Sequence, residues 1–280
     1  MSHYTVAVIT NGEKDLDEIL APYDENIEVA PYIGRTKKKM IEEAKEIKER
    51  ILERMGEKEA SGEKYEVTDF EKPYLEAKTD EDFYKTQVYD DAHYTEDGDE
   101  LTTYNPNSKW DWYVVGGRWD GLLKAKEGFK GEGYLDDDGN PAEETWGEYD
   151  PDDRFNCLKI KDIDFSPDKD EYDNALAFWK LYIEDKVDTT EDGRPLSLCT
   201  REYYLNRYTS KEDYAEKASS FITRAVITPD GVWHEPGQMG WFGLSSESDD
   251  EWRDWAETYK EKFIDNQDPE NYMVIVDCHI

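Results

Sequence analysis

Residues 220–235 read SFITRAVITPDGVWHE, and residues 272–279 read YMVIVDCH. In the first stretch, two runs rich in β-branched and aromatic side chains flank Pro-Asp-Gly, residue types that bend a chain, so it predicts a β-hairpin. Between the two stretches, Ser248 and Glu251 have the spacing of a capping box, opening a helix that buries Trp252, Trp255, Tyr259 and Phe263. YMVIVDCH then returns as an apolar strand. A hairpin, a crossover helix and a returning strand predict an α+β fold: a mixed, largely antiparallel sheet packed with helices, with acidic loop insertions.

Working outward, YTVAVIT at 4–10 reads as a short buried strand, and its echo in AVIT at 225–228 hints at a duplicated strand. A short helical stretch follows around Asp15 to Leu20. From Thr36 to Met55, the residues Met40, Ala44, Ile47, Ile51 and Met55 recur at spacings of three and four, which predicts an amphipathic helix capped by Thr36. A shorter helix is expected within 80–89. CLKIKDIDF at 157–165 alternates like a half-buried strand, and Ser166-Pro167 opens a helix carrying Tyr172, Leu176, Trp179 and Ile183. Residues 200–218 read as helical, with a capping box from Thr209 to Glu212. The expected organisation is one compact domain over 1–280, with 1–126 and 155–280 as sub-units if it divides, joined by the acidic loop 127–154.

The 280 residues include 34 Lys+Arg against 69 Asp+Glu, a formal net charge of -35 that repels phosphate and disfavours direct nucleic-acid binding. A basic partner suits it better. With 37% hydrophobic and 14% aromatic residues, the chain has material for a core. The opening MSHYTVAVIT has no basic n-region, and no run approaches the ~18 apolar residues of a membrane span, so a soluble, cytoplasmic protein is expected. Cys157, Cys199 and Cys278 lack CxxC spacing, so neither a disulfide framework nor a zinc ribbon is indicated. The histidines are His3, His93, His234 and His279, without HExxH or HxH spacing, and no metal site is assigned. DDDGN at 136–140 and EDGDE at 96–100 are oxygen-rich but depart from the EF-hand pattern. No Walker A loop, GxSxG elbow or dinucleotide fingerprint occurs, and no cofactor is named by the sequence.

Three clusters carry chemistry. YNPNSKWDWYVVGGRWDG at 104–121 predicts a hairpin, WDWYVV and RWDGLLKA joined by Gly116-Gly117. Alternation places Trp110, Trp112 and Val114 on one face and Asp111, Tyr113 and Val115 on the other. The stretch is either a packed hairpin or the floor of an anion site, with Arg118 as a fork, Lys109 as a point charge, the glycine N–H groups open to an anion, and Trp119 or Tyr113 available for stacking. HEPGQMGWFG at 234–243 offers exposed backbone beside Trp241. In the terminal VDCHI, Asp277 and His279 share a strand face while Cys278 points opposite. Asp277 orienting His279 would make a general base, or with His234 part of a metal site; the plainer alternative is a polar strand end.

APYDENIEV at 21–29, YNPNSKWDWYVVGGRW at 104–119, MGWFG at 239–243 and the terminal VDCHI resemble motifs of a family of bacteriophage and bacterial, often actinobacterial, proteins without an assigned activity. The resemblance implies that Asn105, Lys109, Asp111, Arg118, Trp119, Trp241, Asp277 and His279 are motif residues, which favours the ligand-site alternative. It carries no signature between about 127 and 220. The leading expectation is a phage-type protein, in the host cytoplasm if phage-encoded, holding a small anionic, nucleotide-like ligand. Its site comprises Asn105, Lys109, Tyr113, Gly116, Gly117, Arg118, Trp119 and Trp241, with Asp277 and His279 as the acid/base pair. The alternative is an acidic counter-defence protein occupying a basic, nucleic-acid-binding surface of a host protein.

Overall fold

The computed structural model describes residues 2–130, 139–141, 154–240 and 244–280. In chain order the elements are β1 (His3–Thr10), α1 (Leu16–Leu20), β2 (Tyr32–Arg35), α2 (Lys37–Ala60), α3 (Lys72–Glu76), α4 (Asp80–Lys85), β3 (His93–Tyr94), β4 (Glu100–Thr102), β5 (Trp112–Val115), β6 (Leu123–Lys124), β7 (Arg154–Phe155), β8 (Cys157–Lys159), α5 (Lys169–Trp179), α6 (Arg201–Arg207), α7 (Lys211–Ser219), β9 (Ala225–Ile227), β10 (Trp233–His234), α8 (Asp249–Lys260) and β11 (Tyr272–His279). The fold is α+β, with mixed, mostly antiparallel sheets. No described helix is long and apolar enough to cross a membrane.

The chain divides into two compact units, Met1–Glu25 with Asn107–Ile280, and Asn26–Pro106. Residues before 127 and after 154 share one sheet through the pairing of β1 and β5 with β11, and most of the acidic stretch 127–154 lies outside the described residues. In the first unit six of the described strands form one sheet in the order β10-β9-β1-β11-β5, with β8 also on β11, and β6 pairs separately with β7. β1 and β11 pair antiparallel along their whole length, from His3 opposite His279 to Thr10 opposite Tyr272. Every residue of β11 is buried, as expected for an apolar strand covered on both faces. β9, whose AVIT echoes β1, lies parallel to it, and β10 folds back on β9 as the predicted hairpin.

α8 begins at the predicted capping box: Ser248 accepts the Glu251 N–H, and the Glu251 carboxylate accepts the Ser248 N–H. Trp255, Tyr259 and Phe263 recur every fourth residue and are buried, while Trp252 is only half-buried. Trp255 Nε1 donates to Thr223 O at 3.1 Å and the Tyr259 hydroxyl meets Thr223 Oγ1 at 2.7 Å, fixing the helix to the segment that enters β9. Two local expectations shift, one helical and one for a strand. Residues 200–218 form two helices, and the second is capped by Ser210, which accepts the Asp213 N–H, one residue beyond the expected Thr209–Glu212 box. CLKIKDIDF pairs with β11 over Cys157–Lys159, is interrupted by a 3-10 turn at Ile160–Asp162, and bridges again from Ile163 to Ala125.

In the second unit, α2 buries Met40, Ala44 and Ile51 and is capped by Thr36, which accepts the Lys39 N–H at 3.2 Å. Two carboxylates of EDGDE hold the same region: Asp99 accepts the Lys37 N–H at 2.7 Å, and Glu100 takes Arg35 Nε at 2.5 Å. These oxygens secure a helix start and a strand, a use that helix capping requires without any ion.

Candidate functional site

The pairing of the first and last strands sets the site. Cross-strand partners point to the same face of a sheet. His3 opposite His279, Thr5 opposite Asp277, Val114 opposite Asp277 and Trp112 opposite His279 therefore share one face, and Tyr4, Cys278 and Tyr113 share the other. On the first face two carboxylate–imidazole pairs lie side by side. His3 Nδ1 is 2.9 Å from Asp277 Oδ1, and His279 Nδ1 is 2.6 Å from Asp111 Oδ1. An ionised carboxylate only accepts, so each Nδ1 carries the proton, and in the neutral ring Nε2 is left as the basic atom. Neither Nε2 has a hydrogen-bond partner among the described residues.

The expectation that Asp277 orients His279 is corrected here. Residues two apart on a strand are separated by about 7 Å, beyond the reach of a short Asp side chain to its neighbour's ring, whereas His3 enters from the adjacent strand. Asp277 is 2% exposed, and its Oδ2 accepts the Arg118 N–H at 3.0 Å. The two imidazoles stand 5.0 Å apart, edge to face at 74°. Trp112 stacks on His279 at 4.9 Å and 16°, and meets His3 edge-on at 5.2 Å. It is 44% exposed.

The Gly116-Gly117 turn positions the Arg118 amide, but it is not a hairpin. Gly116 adopts φ +72 and ψ -73, outside the pair of left-handed conformations that a type I′ turn needs, and the chain enters a 3-10 turn at Gly117–Trp119. β5 pairs with β11 instead, and β6 with β7. Gly117, at φ +55, packs directly over the carboxylate: a Cβ there would lie 2.5 Å from both Asp277 Cβ and Oδ2. Gly116 donates to Ile275 O at 2.8 Å, and a Cβ on it would meet Asn156 Nδ2 at 2.6 Å.

The other expected residues separate. Arg118 is exposed, and its guanidinium has no partner among the described residues. Lys109 is neutralised by Glu235, Nζ to Oε1 at 2.7 Å, so its charge is already used. Tyr113 lies on the opposite face, donates to Asp17 and packs edge-on to Trp110, and burial together with that carboxylate pushes its phenol pKa well up. Trp119 is half-buried against the core. Asn105 belongs to the second unit, and Trp241 lies outside the described residues, as does most of DDDGN. The described part of the 234–243 loop reaches the start of β1, where Ser2 Oγ donates to Gly240 O at 3.0 Å. His234 sits on the far edge strand with Thr228 Oγ1 at 3.0 Å, and burial lowers its pKa. Cys278 is fully buried, which raises its thiol pKa and leaves it inert.

Sequence reasoning missed His3 and Trp112 as site residues and gave Asp111 no role. The available signal was small: extending the first strand by one residue adds His3 to the face of Thr5, but only the β1–β11 register sets it beside His279. Among the described residues, no group of three or more His, Cys, Asp or Glu side chains is placed to hold a metal ion. Comparison with family models, curated proteins and solved structures returned no match.

Proposed function

We propose that the chain binds a small anionic ligand over the His3–His279 pair and acts on it by general acid–base catalysis. The observation that carries this reading is the pair of imidazoles 5.0 Å apart, each held through Nδ1 by its own carboxylate. Such an arrangement fixes ring orientation and leaves each Nε2 without a hydrogen-bond partner among the described residues, with His279 itself 5% exposed. Arg118 supports the anionic character of the ligand: it is an unengaged guanidinium in a chain of net charge -35, anchored by its backbone to Asp277. The motif resemblance supports a phage or bacterial setting.

Titration with inorganic phosphate, followed by imidazole NMR signals, tests the reading. Binding at millimolar phosphate should shift His3 and His279 and leave His93 unmoved, and Arg118→Ala should weaken it about tenfold, the equivalent of ~1.4 kcal/mol. Unmoved His3 and His279 signals would sink the proposal.

A second reading rests on charge. The solvent side of α2 carries Glu46, Glu49 and Glu53 along a groove that includes Arg50, in a chain with about twice as many acids as bases. Such a surface suits a basic, nucleic-acid-binding face of a host protein. Capture of that partner should weaken steeply with salt and be indifferent to Arg118→Ala.

A further inference from the structure

We infer that the ligand is a small phosphodiester of a nucleoside, cleaved by His3 and His279 acting as a base and acid pair beside a base-stacking Trp112. This inference rests on the proposed acid–base site and names its substrate class. Three features of the site favour it. Transfer at phosphorus places the attacking and leaving oxygens in line on opposite sides of the centre, and each needs a proton-handling group within about 3 Å. Two neighbouring imidazoles 5.0 Å apart, each with an Nε2 unpartnered among the described residues, supply one such group for each oxygen, where a single dyad supplies only one.

The second feature is the indole. One face of Trp112 lies on His279, yet the residue is 44% exposed, so a planar heterocycle can stack on the open side while its phosphate reaches the imidazoles. Val114, on the same face and 43% exposed, extends the apolar floor. The third is charge. Arg118 offers one guanidinium to one phosphate, while a net charge of -35 repels a long polyanion, so a mononucleotide is favoured over a polynucleotide.

The step balances without an oxidant, reductant or co-reactant other than water. The neutral imidazole takes a proton from water as its oxygen forms a bond to phosphorus. The bond from phosphorus to the leaving ribose oxygen breaks, and the opposing imidazolium gives that oxygen its proton. The product is a phosphomonoester with a free hydroxyl, and the rings exchange protonation states, reset through solvent.

The test uses the full chain with adenosine 2′,3′-cyclic phosphate, inorganic phosphate and a single-stranded RNA, with EDTA present and products read by phosphorus NMR. Ring opening of the cyclic nucleotide is expected, with RNA untouched. His3→Asn and His279→Asn should each slow it at least 100-fold while the circular dichroism is kept. Trp112→Ala should raise KM about tenfold, more than it lowers kcat, and Trp112→Phe should restore most of that. If either histidine variant fails to fold, the Trp112 pair and the remaining histidine variant still decide. Phosphate binding without tighter nucleotide binding or product would overturn the nucleoside assignment while leaving the anion site standing. Absence of binding by any of the three probes would overturn both. Activity lost in EDTA and restored by zinc would overturn the two-imidazole step.

Discussion

Replacing Gly117 with Ala tests the close packing of the turn over Asp277. A Cβ at this position would lie 2.5 Å from Asp277 Cβ and Oδ2 and 2.8 Å from Val114 Cγ1, distances that force the turn to lift. Lifting breaks the 3.0 Å bond from the Arg118 amide to a carboxylate that is 2% exposed. A hydrogen bond to a charged group contributes about 1.5–3 kcal/mol. Holding a non-glycine residue at φ +55 adds about 1–2 kcal/mol. Together these predict a loss of about 2.5–5 kcal/mol, or roughly 5–15 °C in Tm at about 2–3 °C per kcal/mol for a chain of this size. Gly128→Ala is the control, since its φ is +89 but a Cβ there meets nothing within 4 Å, so only the backbone cost of about 1–2 kcal/mol applies. Urea denaturation of both variants gives the difference. Equal destabilisation, within about 0.5 kcal/mol, would refute the packing of this turn on Asp277.

Phe263→Ala should cost about 3–5 kcal/mol in urea denaturation, because the ring is 4% exposed and packs on Trp255, Tyr259 and His234. A cost under about 1 kcal/mol would mean that α8 does not seat on the sheet as described. Burial lowers the His234 pKa in the folded state, so the unfolded chain binds its proton first, and stability is lost as pH falls below about 6.5. His234→Gln should therefore flatten the stability profile just below about pH 6.5, and an unchanged slope would show that the ring is not desolvated.

Much of the frame was legible because it rests on local chemistry. Ser248 and Glu251 name their helix, Thr36 names the start of α2, and the apolar runs at 4–10, 225–228 and 272–279 name three strands of one sheet. The Gly-Gly turn misled, since the dipeptide licenses a hairpin without specifying ψ, and the neighbour of β5 comes from 272–279, over 150 residues away. The site was half legible for the same reason. Asp277, His279 and Arg118 sit in conspicuous motifs, but the pairing of carboxylate to imidazole depends on which strands are neighbours. His3 and Asp111 acquire their meaning only from that register.

The most direct measurement of the central claim is long-range proton–nitrogen NMR of the imidazoles in wild type, Asp111→Asn and Asp277→Asn. Two rings with the proton on Nδ1 are expected for His3 and His279. Asp111→Asn should displace chiefly the Nδ1–H of His279, and Asp277→Asn chiefly that of His3. Rings protonated on Nε2 alone, or an Asp277→Asn variant that displaces His279 while sparing His3, would contradict the paired arrangement.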